Sequence, residues 1–166
     1  MAIVITAPEQ FNPPYAETGS VFLAGAIDMG AAVDWQAEVI NQLRGVDGLL
    51  IFNPRRAAFT ADTLDEQIQW ELKALHAADR VFMWFPQNAK APVAMFETGL
   101  FMPTGKLVIG AEPGFYRRRN LELTCAFYRV PLYDNLDEMI GYFTSDSIQH
   151  EREQGAIDRW MDENAG

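Results

Sequence analysis

The sequence predicts an α/β fold: a parallel sheet of about five strands flanked by helices, in a single domain. Three observations predict it. Short β-rich apolar runs alternate with stretches of helical period along the chain. One run, Val81-Phe82-Met83-Trp84-Phe85, is too uniformly apolar for a strand with one wet face, so it belongs at the centre of a sheet covered on both sides. The length of 166 residues with 49% hydrophobic side chains suits one sizeable core.

The elements follow in order. Residues 3–6 and 21–24 read as strands, separated by a loop in which Pro8, Pro13 and Pro14 forbid regular structure. Asp34 is placed to cap a helix whose Trp35, Val39, Ile40 and Leu43 recur at helical spacing, and Gly45 with Gly48 ends it. Residues 49–52 form the next strand, closed by Asn53-Pro54. Residues 64–77 read as a helix with Ile68, Leu72 and Leu75 on its apolar face and Gln67, Trp70 and Glu71 on the other. Pro86 stops the central strand, and after a loop ending at Ala91-Pro92 a short helix covers residues 93–101. The turn Pro103-Thr104-Gly105 leads to a strand over 106–109. A fourth main helix spans 121–127, residues 130–133 suit an edge strand because Pro131 has no ladder donor, and 136–143 form a closing helix. The domain is expected over residues 1–144. The last 22 residues, 145–166, carry six acids and two bases and read as an acidic helix or tail.

Charge and composition then narrow the function. Thirteen basic against 23 acidic side chains leave a formal charge of −10, which opposes tight binding to nucleic acid, whose affinity comes mostly from Lys and Arg on phosphates. No apolar run approaches the ~20 residues of a membrane span. A single cysteine, Cys125, cannot close an internal disulfide, and no secretory leader pattern opens the sequence, so a reducing cytoplasm is expected. A small molecule is the expected partner.

In parallel sheets a ligand sits beyond the carboxyl ends of the strands, so the loops at 25–28, 53–56, 85–92 and 110–120 are the places to search. None carries a dinucleotide or P-loop signature. Two histidines, His76 and His150, with one cysteine give no zinc-ligand spacing, so no metal or organic cofactor is expected. Cys125 reads as a small buried hydrophobe, and His76 as a cation in the last turn of its helix. Carboxylates remain the credible chemical groups. Glu97 interrupts an otherwise apolar helix just beyond the central strand, where a charge is costly unless something binds it. Glu71 lies on the helix leading into that strand. A carboxylate pair at a pocket can divide labour between nucleophile and proton donor, although most helical glutamates are simply solvated. Trp35, Trp70 and Trp84 suit core packing, or a pocket for a flat heteroaromatic ligand.

At these residues the sequence resembles the nucleoside 2-deoxyribosyltransferases, particularly their "like" branch. The matching segments are Val21-Phe22-Leu23-Ala24-Gly25-Ala26-Ile27, Asp34-Trp35-Gln36, Phe52-Asn53-Pro54-Arg55-Arg56, the stretch 67–71, Ala78-Asp79, Trp84-Phe85-Pro86 and Phe96-Glu97-Thr98-Gly99. Each is weak alone, but they run collinear from about residue 3 to residue 140.

The resemblance implies a flavodoxin-like (Rossmann-like) sheet and exchange of the base of a 2′-deoxynucleoside for a free nucleobase. It implies Glu97 as nucleophile, Glu71 as the acid contacting the base, and Asp79 as an orienter of backbone at the strand start. It places Ala24, Gly25 and Ile27 under the sugar and Trp35 and Trp84 near the base. Asn120 falls where the family reaches a neighbouring subunit's pocket, which implies a homo-oligomer with shared sites. Ala91 stands where some members carry a further acid, which leaves substrate preference open. Two alternatives remain: an N-glycoside hydrolase, with Arg117 to Arg119 as a phosphate site, and a binding module without turnover.

Overall fold

The computed structural model describes residues 1–12, 19–27 and 33–145. Pro13, Pro14, Asp28, His150 and the expected acidic tail beyond Ser145 lie outside the described residues. The apolar runs pair as six parallel strands, β1 (Ile3–Thr6), β2 (Ser20–Gly25), β3 (Leu50–Asn53), β4 (Arg80–Phe85), β5 (Leu107–Ala111) and β6 (Leu132–Tyr133). Among the described residues five helices flank them: α1 (Trp35–Leu43), α2 (Leu64–Ala77), α3 (Pro92–Phe101), α4 (Arg118–Tyr128) and α5 (Leu136–Thr144).

The strand order is β1-β3-β2-β4-β5-β6. From β3 onward this is the flavodoxin-like order, with β1 added outside β3 in a register that pairs Ile3 with Leu50 and Thr6 with Asn53. The count reaches six because Leu132 and Tyr133, just past Pro131, pair with Ile109 and Gly110 at the far edge. β4 is interior, between β2 and β5, as its uniform apolarity requires.

Alternation along the strands sorts the core into two layers. Phe22, Ala24, Phe52, Met83, Phe85 and Ile109 face one side, with Trp70 and Ala74 of α2, Ala94 and Phe101 of α3, and Leu121 and Cys125 of α4. Val21, Leu23, Ile51, Phe82, Trp84 and Val108 face the other, under α1 and α5. Asp34 caps α1 as expected, its Oδ1 accepting from Ala37 N at 3.0 Å. Asp79 ties two strand starts together: its Oδ2 accepts from the Ser20 backbone N–H and hydroxyl, both at 2.8 Å, and Ser20 Oγ accepts from Asp79 N at 3.0 Å.

One face assignment is reversed at all but Leu75, which is buried as expected. On α2 the buried residues are Gln67, Trp70, Ala74 and Leu75, whereas Ile68 and Leu72 are each 44% exposed. The reason is tertiary. The Trp70 indole packs against Phe11, Phe22 and Phe52 and donates from Nε1 to Glu9 O at 2.8 Å, so burying it anchors the segment after β1 as well as the helix. Rotating Ile68 and Leu72 inward would forfeit that anchor. Leu64, Ile68 and Leu72 therefore form an outward apolar stripe, and α3 adds Val93, Phe96 and Leu100.

Candidate active site

The strand order reverses between β2 and β4: the chain leaves β2 through α1 toward β3 and returns through α2 to β4. In parallel sheets that switch point, at the carboxyl ends of the two strands, is where a ligand binds. β2 reaches it with Ala24, Gly25 and Ala26, and Ala24 and Ala26 face the α2–α4 layer, presenting only methyl groups there. Gly25 has φ +142, and a Cβ there would lie 2.2 Å from Trp84 O. The sheet's own backbone therefore requires this glycine, before any ligand is considered. Ile27 follows at intermediate exposure.

The same layer carries both glutamates, Glu71 from α2 and Glu97 from α3. Glu97 is positioned by the start of α3. Pro92 stands at the first helical position, Ala91 before it takes a left-handed conformation (φ 45), and Thr98 Oγ1 bonds Ala94 O at 2.7 Å within the helix. The segment leading there is clamped by Glu112 after β5, whose Oε2 accepts from Gln87 N at 2.7 Å. Burial, and after it the charge of Glu71, push the Glu97 carboxyl from 4.5 up to about 8. Among the described residues no donor hydrogen-bonds that carboxyl.

Glu71 sits in a different environment. Burial raises it too, but Gln67, one turn earlier, donates from Nε2 to Glu71 Oε1 at 2.8 Å and holds it partly down. Gln67 is only 6% exposed, and the same nitrogen donates to Pro54 O at 2.8 Å. Its Oε1 faces Arg56 Nη1 at 3.4 Å, and Arg56 also pairs with Glu66 at 2.9 Å. Two neighbouring carboxyls with unequal partners are the arrangement that separates a proton-holding group from an ionised one. Gln67 and Arg56 lie within the family-like segments but have no role assigned from sequence. The i, i+4 spacing of Gln67 and Glu71 is the signal that could have found the pair.

The structure does not bring Trp35, Trp84 or Asn120 to this pair. Trp35 and Trp84 lie in the opposite layer, each 3% exposed, so neither ring has an open face. Trp35 donates from Nε1 to Ala26 O at 2.9 Å, and the Trp84 ring lies across Gly110, where a Cβ would come within 2.6 Å. Both thus support the end of β2 from below. Asn120 is exposed on the first turn of α4, with no hydrogen bond to either glutamate. The arginines are committed elsewhere: Arg55 to Asp34 at 3.4 Å, Arg118 to Glu122, Asp134 and Ala111 O, and Arg119 to Glu122 at 3.0 Å. Arg117 lies over the Tyr116 ring.

Among the described residues no three of His, Cys, Asp and Glu gather as metal ligands, and no helix is long and apolar enough to cross a membrane. A search of curated proteins gives no match. The family model described as "nucleoside 2-deoxyribosyltransferase like" matches residues 18–115, from the start of β2 to the loop after β5. That span covers more than half of the chain and holds the switch point and both glutamates. The chain belongs to the nucleoside 2-deoxyribosyltransferase-like family.

Proposed function

We propose that this protein exchanges the purine or pyrimidine base of a 2′-deoxynucleoside, with Glu97 as nucleophile and Glu71 as proton donor. The observation that carries the reading is the coupled carboxyl pair at the switch point, inside the family-matched span. Glu97 attacks the anomeric carbon as the bond to the base nitrogen breaks, and the departing electron pair takes the proton supplied through Glu71. The product is free base and a sugar ester on Glu97. A second base attacks from the vacated face, gives back one proton to Glu71, and frees Glu97, so two inversions retain the configuration. The reaction needs one proton on two carboxyls. A Glu97 carboxyl that holds its proton up to about 8 keeps that single proton in the site at neutral pH.

Nucleotide hydrolysis is the weaker reading, because it needs a phosphate site and the nearest arginine run has Arg118 and Arg119 engaged by acids. The outward apolar stripes on α2 and α3 support self-association, which would bring a second copy toward the site and hide that surface. Nucleoside salvage in the cytoplasm is the setting this activity suits. The test is incubation with deoxyinosine, with and without excess adenine, followed by chromatography. Deoxyadenosine formed only with adenine, and abolished by Glu97→Gln, is the expected result. Hypoxanthine released equally without adenine would move the assignment to hydrolysis.

A further inference from the structure

We propose that Gln67 is a positioning residue that decides which of the two carboxyls keeps the shared proton in the resting protein, by donating to Glu71 and not to Glu97, which has no donor among the described residues. What this means for turnover rests on the roles proposed above for Glu71 and Glu97; where the proton resides does not.

The orientation of the Gln67 amide is set by its neighbours. Pro54 O can only accept, so the atom 2.8 Å from it must be the nitrogen. The oxygen then faces Arg56, a cation that can only donate. Turned the other way, the amide oxygen would meet a carbonyl oxygen and a carboxylate while its nitrogen met a guanidinium. With the nitrogen so placed, its second hydrogen reaches Glu71 Oε1 at 2.8 Å. A donated hydrogen bond favours the ionised carboxylate, so Gln67 biases Glu71 toward its anion.

Among the described residues the polar and titratable groups at the pair are few. α2 contributes Glu71 and Gln67, and α3 contributes Glu97. β2 contributes Ala24 and Ala26, which do not titrate. The loop after β3 contributes Arg56, whose charge is shared with Glu66. Among the described residues no Lys, Arg or His bonds either carboxyl directly. Beside burial and mutual charge, the hydrogen-bond difference between the two carboxyls among the described residues is one neutral amide, itself held by a backbone carbonyl and an arginine. The leaving-group step requires the opposite distribution, with the proton moving from Glu97 toward Glu71. By resisting that transfer until substrate is bound, Gln67 keeps the nucleophile masked in the empty site.

The test uses full-length protein labelled with ¹³Cδ-glutamate, its two resonances assigned through Glu71→Gln and Glu97→Gln. In the wild type, the Gln67 side-chain amide shifts in ¹H–¹⁵N spectra are expected to follow the Glu71 titration. Gln67→Met, which keeps the length and removes the donor, is expected to raise the proton affinity of Glu71 about tenfold, the effect of one hydrogen bond to a charged group. Glu97 then titrates lower, and the acidic limb of kcat/KM moves to higher pH. An amide signal that stays flat while Glu71 titrates overturns the proposal, even if Gln67→Met fails to fold. So does an unchanged Glu71 titration in a folded Gln67→Met. If the wild type shows no transfer but the titrations behave as expected, the functional reading fails and the proton placement stands.

Discussion

Replacing Glu97 by Gln should stabilise the protein, and only at high pH. Burial raises the native Glu97 carboxyl from 4.5 to about 8, so the folded chain keeps a proton that the unfolded chain releases near 4.5. The native state therefore binds more protons throughout that interval, and wild-type stability falls as pH rises through it, levelling above about 8. The full interval converts to at most about 5 kcal/mol. Partial water access and the response of Glu71 reduce this to about 2 to 4 kcal/mol. A glutamine keeps the shape of the protonated acid and removes the penalty. The assay is urea unfolding of both proteins at several pH values from 5 to 9, with thermal melts alongside. The variant's advantage should open from under about 1 kcal/mol at pH 5 to about 2 to 4 kcal/mol at pH 8.5. For a chain of this size that is roughly 5 to 15 °C in Tm. Parallel stability curves would refute the reasoning, since they would mean that Glu97 titrates alike in both states. A stabilised variant without turnover would show that the carboxyl is kept at the expense of stability.

Three further outcomes are expected. Gly25→Ala should cost about 3 kcal/mol or more by denaturant unfolding, because its Cβ would lie 2.2 Å from Trp84 O on a backbone at φ +142; a loss under about 1 kcal/mol would contradict the packing at the end of β2. Asp79→Ala should cost about 1 to 3 kcal/mol by leaving the buried Ser20 hydroxyl and N–H without acceptors, and Asp79→Asn should recover part of that loss. Burial pushes the Cys125 thiol up to about 11, so at pH 8 Ellman's reagent should modify the native protein at least about a hundredfold more slowly than the urea-unfolded chain.

Much of the fold is legible in the sequence because each element announces itself locally. Val81 to Phe85 is too apolar for anything but an interior strand, Asp34 is a cap wherever a helix follows it, and Pro86 and Pro92 can only stop and start structure. Glu97 is equally visible, since a lone acid between Phe96 and Thr98 in an apolar helix asks for an explanation. The addition of β1 outside β3 is different. It depends on pairing between segments more than 40 residues apart, which no window along the chain contains.

The local order of residues determined the strands, the helices, the turn positions and the two carboxyls, because propensity, capping and hydrophobic period act over a few residues. Tertiary structure alone decided which face of α2 is buried, since the choice between Trp70 and the Ile68–Leu72 stripe turned on what Phe11 and Phe52 offered across the layer. It likewise sent Trp35 and Trp84 into the layer opposite the glutamates, where strand alternation lays the Trp84 ring across Gly110 beside Met139. It also set the unequal environments of Glu71 and Glu97: burial and charge act through space, and the amide that separates the two is held by Pro54 and Arg56, from a loop that precedes α2.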